Sequence, residues 1–134
     1  MEKVVPIDEE FIYEGRVSIS QTDLKGNITF VNRKFCEVSG YASSELVDSN
    51  IDIVRHPSIA DEVFSKMWDA LANGQVWNGM LKNLRKDGLF YWVEMEITPI
   101  FDEQENITGY ISVSKPAPRK NIEENEKLLT NAKN

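Results

Sequence analysis

The apolar spacing of this chain changes at Asn73-Gly74, and that change constrains the architecture more than any other feature. Before it, Ile59, Val63, Met67 and Ala70-Leu71 recur at helical spacing, which predicts a helix beginning at Ser58 and stopped by Asn73-Gly74. After it the period is two. Trp77, Gly79, Leu81 and Asn83 share one face of a strand, and Asn78, Met80, Lys82 and Leu84 share the other. Lys86-Asp87-Gly88 is a strong hairpin signal, Leu89 to Ile100 a long second strand, Asp102 to Asn106 another turn, and Ile107 to Ser114 a last strand, with Pro116 and Pro118 breaking the pattern. Strands joined by turns this short can only run antiparallel.

The first half supplies the remaining pieces. Val17 to Ser20 alternates, Gly26-Asn27 makes a turn, and Ile28 to Val31 returns as a second strand. Asn32 stands where an N-cap belongs, ahead of a helix from Arg33 to Ser39 that Gly40 ends. Ser43-Ser44-Glu45-Leu46 reads as a second short helix, and Asn50 to Pro57 as irregular or one helical turn. The expected fold is α+β: a five-stranded antiparallel sheet with helices packed on one face. Residues 1–16 are expected to be an N-terminal arm or short helix and residues 17–115 the folded domain. Residues 116–134 are expected to be a linker helix, whose apolar anchors Ile122, Leu128 and Leu129 are too sparse for a helix standing alone in water. That suggests a linker to a further module or the edge of a dimer contact.

Composition narrows the function. A chain of 134 residues fits one domain, and a net charge of −7 argues against nucleic acid and anionic membranes as partners. No apolar run approaches the ~20 residues that span a bilayer, and the acidic start lacks an apolar signal core. The expectation is a cytoplasmic domain without direct membrane insertion. The single cysteine, Cys36, excludes an internal disulfide and a multi-cysteine metal site. Paired carboxylates, a nucleophile elbow and a phosphate loop are all missing, so an enzyme is not expected.

The candidate site lies in the middle third, which holds all the tryptophans and the lone histidine. In Ile53-Val54-Arg55-His56-Pro57, Arg55 can pair a phosphate bidentately, and His56 can donate to a phosphate or lie against a ring. On spacing alone, a solvated cap or a satisfied core histidine is the simpler account of the pair. Trp77 and Asn83 share a strand face about 20 Å apart. Asn83 offers donor and acceptor to the edge of a flat heteroaromatic ring, while Trp77 stands equally for core packing. For Trp68 a helix-to-sheet core contact is the simpler reading, and for Asn32 an N-cap is physically sufficient. Tyr91 shares an apolar stripe with Val93, Met95 and Ile97 and is expected inside; Trp92, alternating with Glu94 and Glu96, is expected outside, in an interface.

Thr22-Asp23-Leu24-Lys25-Gly26-Asn27-Ile28-Thr29-Phe30-Val31-Asn32, followed by Phe35, Ser39-Gly40-Tyr41 and Ser44-Glu45-Leu46-Val47, resembles the opening of a PAS sensor domain. The Arg55-His56-Pro57 string, Met67-Trp68, Trp77-Asn78-Gly79, Lys82 to Gly88 and Tyr91-Trp92-Val93 together resemble the PAS domain of bacterial aerotaxis (energy-taxis) receptors. That resemblance implies a redox or oxygen sensor holding FAD non-covalently between sheet and helices. It also implies signalling to a chemotaxis-type output module in the same or a partner chain, and the tail and Trp92 make a homodimer the expected assembly. It carries Arg55 and His56 over as cofactor contacts and adds Asn32. Ser58 stands where an acidic residue is expected, which leaves FAD against FMN open, although a serine can still cap the next helix. Two other readings stand beside this one: a ligand-free PAS interaction module, and a haem sensor with His56 as axial ligand. Light-sensing flavin domains carry their adduct-forming cysteine in an Asn-Cys-Arg-Phe motif on a later helix, and Cys36 comes too early for that.

Overall fold

The computed structural model describes residues 3–130. Its strands are β1 (Ser18–Thr22), β2 (Ile28–Val31), β3 (Trp77–Leu84), β4 (Phe90–Phe101) and β5 (Ile107–Pro116). Its helices are α1 (Arg33–Ser39), α2 (Ser43–Leu46), α3 (Asp61–Ala72) and α4 (Arg119–Leu129), with a 3-10 turn at Ile51–Val54. The strands form one antiparallel sheet in the order β2-β1-β5-β4-β3. The expected α+β fold is therefore the observed one.

Local chemistry sets most of the boundaries. The Asn32 side-chain oxygen accepts the Phe35 N–H at 2.9 Å, capping α1, and Gly40 ends that helix at φ 81°. The same oxygen accepts the Ile19 N–H at 3.0 Å while the amide nitrogen donates to the Val17 carbonyl at 3.2 Å, so one side chain ties α1 to β1. Apolar residues from α1, α2 and the 3-10 turn make one core, in which Leu46 is wholly buried. α3 lays Met67 and Leu71 against Ile97 and Tyr110 of the sheet.

Two expectations need correction, and one left open between two forms is decided. First, α3 begins at Asp61, not Ser58. The Ser58 N–H and hydroxyl both turn back onto His56 Nδ1, at 3.1 and 2.8 Å, and the Ile59 N–H bonds the His56 carbonyl. Ser58 thus closes a tight turn around His56 and caps no helix.

Second, of the two forms expected for the N-terminal segment, an arm or a short helix, the structure has an extended arm. Ile7 N–H bonds the Gly88 carbonyl at 2.8 Å, and residues 9 to 11 pair with Phe90 beyond the end of β5. Gly88, at φ 93°, admits this approach, because a Cβ there would lie 2.7 Å from the Val5 carbonyl. Tyr13 is buried, its hydroxyl 3.1 Å from the Ser114 carbonyl.

Third, Trp92 lies on the face opposite Tyr91, as its alternation requires, yet it is only 3% exposed. α4 crosses that outer face, with Asn121 donating to Glu94 at 2.8 Å and Ile122 buried, and Lys82 sits over the Trp92 ring. α4 overcomes its sparse apolar anchors with polar ones. Arg119 pairs with Glu10 at 2.8 Å, and the Leu129 carbonyl accepts the Ala60 N–H at 2.9 Å. Leu128 stays exposed. The expected extension of this helix to residue 134 falls outside the described residues. Among them, no helix is long and apolar enough to cross a membrane.

Candidate ligand-binding site

A cavity lies between the inner face of the sheet and the layer of helices. Its floor is made by Ser18, Ser20 and Thr22 of β1 with Tyr110, Ser112 and Ser114 of β5. Leu81, Asn83, Tyr91, Met95 and Ile97 of β3 and β4 form one wall. Phe35, Ile51, Val54, Arg55, Phe64, Met67 and Trp68 close it from above. The cavity is narrow, with a volume of ≈ 70 Å³ for the centres of water-sized spheres.

Period-two alternation puts Asn83 and Tyr91 on the inner face, opposite each other in the β3–β4 register. Burial pushes the Tyr91 hydroxyl well above its ordinary value, with the Asn83 side chain opposing part of the rise. Tyr91 is therefore a neutral donor at any physiological pH. Tyr13 meets its ring edge-on at 6.5 Å, and Trp68 meets Tyr110 the same way at 5.5 Å. The 3-10 turn leads into extended backbone at Arg55, which bridges to Asn83 of β3. In extended backbone the adjacent side chains of Arg55 and His56 point oppositely. Arg55 turns to the cavity mouth, where its guanidinium lies 3.9 Å from the centre of the Phe64 ring and pairs with Asp61. Asp52 and Asp69 border the same mouth.

His56 turns the other way. It is 6% exposed, packed edge-on to Phe90 at 6.3 Å, with Nδ1 accepting the Ser58 N–H. Burial, with Lys82 adding to it, pushes its pKa down to about 4. The ring is neutral near pH 7, with its proton on Nε2.

Of the residues expected at the site, Arg55, Trp68, Asn83 and Tyr91 line the cavity together. Asn32, His56 and Trp77 do not. Every polar atom of the Asn32 side chain is engaged in the cap and the β1 tie. Trp77 lies along its own strand over Gly79, where a Cβ would come within 2.4 Å of the indole, and it packs with the core instead. Among the described residues no cluster that could hold a metal ion is present, and Cys36 does not border the cavity.

The sequence reading missed the floor. Two central strands place Ser18, Ser20, Thr22, Ser112 and Ser114 inward while Ile19, Ile111 and Val113 face out, an inversion of the usual pattern. The alternation of Ser and Thr with apolar residues was the available signal. Small polar side chains on a buried face leave room, and they need hydrogen-bond partners. Thr22 Oγ1 has none. This chemistry suits a flat ligand with polar edges, and Arg55 suits an anionic group at the mouth. A tricyclic ring would enter only if side chains of the roof, such as Trp68 or Phe64, turned aside.

Sequence comparison agrees with this architecture. The pattern of the family described as PAS fold matches residues 10–116. This chain belongs to the PAS family. It is 39% identical over 104 residues to the aerotaxis receptor of Escherichia coli (strain K12), covering 78% of this chain and 20% of that protein. It is 32% identical to the nitrogen fixation regulatory protein of Klebsiella pneumoniae, again over 78% of this chain and 21% of the relative. The PAS chain thus spans about a fifth of either protein. Among solved structures it is similar to the light state of the blue-light photoreceptor Aureochrome1 LOV, with TM-score 0.74 at 21% identity over 84% of this chain and 91% of that one. A light-oxygen-voltage domain studied with a flavin analogue matches with TM-score 0.73 at 24% identity, over 83% and 87% of the two chains. At these identities the structural matches establish the fold.

Proposed function

We propose that this PAS domain is a sensory module that holds a flavin, FAD in the first instance, in the cavity between sheet and helices. Its redox state would report electron supply or oxygen to a signalling module joined to α4. The observation that carries this reading is the polar-floored cavity with Asn83 and Arg55 on its wall. In it, Asn83 and Tyr91 would meet a ring edge, Trp68 would cover a ring face, and Arg55 would leave Asp61 for a phosphate. The isoalloxazine supplies reversible two-electron chemistry when bound; the protein supplies binding, orientation and exclusion of water. A change in ring charge reaches the protein only through contacts that differ between the two states, and Arg55 and Tyr91 are the groups able to differ. The aerotaxis receptor among the relatives makes a chemotaxis-type output, and a dimer, the natural context to test.

The test is the visible absorption spectrum of the purified protein, with chromatography of whatever is released on denaturation. Flavin absorption with FAD released supports the reading. A colourless protein that also ignores added FAD and FMN overturns it. That outcome favours a ligand-free interaction module, for which the narrowness of the free space speaks. A haem sensor has little support, because the one imidazole is turned away from the cavity with its Nδ1 engaged.

A further inference from the structure

Thr22 combines features that a core threonine does not. It lines the cavity and is 8% exposed. Among the described residues its Oγ1 is the buried side-chain polar atom without a hydrogen-bond partner. Buried hydroxyls are almost always bonded, and one left alone forfeits its hydration for nothing. Threonine in a strand commonly bonds across the ladder. Here the residues in register are Ile28 on one side, which has no polar side chain, and Tyr110 on the other, whose ring is edge-on to Trp68.

The backbone holds this position in place. The β1–β2 register slips between Gln21 and Thr22, and such irregularities re-aim a side chain. On the other side Gly109 lets β5 approach, since a Cβ there would lie 2.3 Å from the Thr22 carbonyl. Valine would fill the same volume with the same β-branched stiffness and no unsatisfied hydroxyl.

We infer that Thr22 is a ligand-contacting, specificity-determining residue whose hydroxyl donates to a ring carbonyl or ring nitrogen on the β1 side of the cavity, an assignment that rests on the flavin reading. The cavity then has two polar ends, Asn83 on β3 and Thr22 on β1. Its occupant must be a heteroaromatic with acceptors on more than one edge.

Two substitutions test this, Thr22→Val and Thr22→Ser, each measured without ligand and with added FAD and FMN. Thr22→Val should leave the ligand-free melting temperature unchanged or raise it by roughly 2–4 °C. It should weaken flavin binding about tenfold and shift the visible band of the flavin that remains bound. Thr22→Ser keeps the hydroxyl and should bind within about threefold of the parent. Thr22→Val binding flavin as tightly as the parent, with an unshifted band, overturns the assignment. So does a lower ligand-free melting temperature for Thr22→Val, which would reveal a partner within the protein. A parent protein that takes up no flavin removes the flavin reading and this assignment together; a parent that binds while Thr22→Val is unaffected removes the assignment alone.

Discussion

The two halves of the inner sheet face are built to opposite rules. Across one rung of the ladder, Ser20 faces Ser112, Ser112 faces Ile97, and Ile97 faces Trp77. Across the next, Ser18, Ser114, Met95 and Gly79 follow in the same order, with Trp77 laid over the glycine. Side-chain size rises from hydroxymethyl on the β1–β5 half to indole and thioether on the β3–β4 half. The helices rest at a height set by the large side, so space remains over the small side. The cavity is thus a product of side-chain gradation across the sheet. The large half supplies folding energy, and the small half gives up burial for room and polarity.

That contrast can be broken by trading the two halves. The largest effect belongs to Leu81→Ala on the apolar half, where Leu81 is 4% exposed: it should destabilise the fold by about 3 kcal/mol in chemical denaturation. A loss under about 1 kcal/mol would mean that this half is not the support it is taken for.

Next comes acid. His56 flanks β3, and its pKa of about 4 lies below the ordinary 6.5. Between those values the unfolded chain takes up a proton that the native ring refuses, so stability falls as pH drops from 6.5 toward 4. From pH 7 to pH 5 the loss is about 2 kcal/mol. His56→Gln should remove that part of the slope, and hydrogen exchange at pH 5 should loosen Lys82 to Leu84 before the amides of β1. An unchanged slope in the variant would show that the imidazole is not buried as described.

Arg55→Ala should weaken FMN and FAD about tenfold and riboflavin hardly at all, read by titration of the apo protein. Equal losses for all three would place the arginine on the ring instead of the phosphate. Smallest in stability is Ser20→Val on the polar half: a change within about 1 kcal/mol, although the added methyl groups intrude on the floor and should expel flavin. Unfolding by this substitution would show that the small half has no room to spare.

What was legible in the sequence was what local chemistry decides. The strands, the turn at Gly26, the Asn32 cap and the Gly40 stop each follow from residues within a few positions of one another. Strand alternation put Asn83 and Tyr91 forward for the inner face, the Arg-His-Pro string put Arg55 forward, and with Trp68 these residues line the cavity. The rest was set by partners distant in the chain. His56 came forward with Arg55 through the Arg-His-Pro string, but its ring packs on Phe90 and accepts the Ser58 N–H, away from the cavity. Trp92 looked exposed among glutamates because α4, which crosses its face, comes later in the chain. Ser58 looked like a helix cap, but the His56 ring accepts its N–H first. The arm gave no periodic signal because its backbone bonds to the β3–β4 turn, leaving its side chains free of pattern.

The docking of α4 has a mechanical side. The helix is held near its start by Arg119 on Glu10 and Asn121 on Glu94, and at its far end by the backbone bond from Ala60 to Leu129 and the packing of Leu129 on the core. Its 11 residues span about 16 Å. A swing of roughly 10° about the Arg119 end would carry Leu129 about 3 Å, enough to part that bond. Ala60 immediately precedes Asp61, the partner of Arg55. The tip of the helix therefore rests beside the cavity mouth, and a side-chain movement there would bear directly on its last turn.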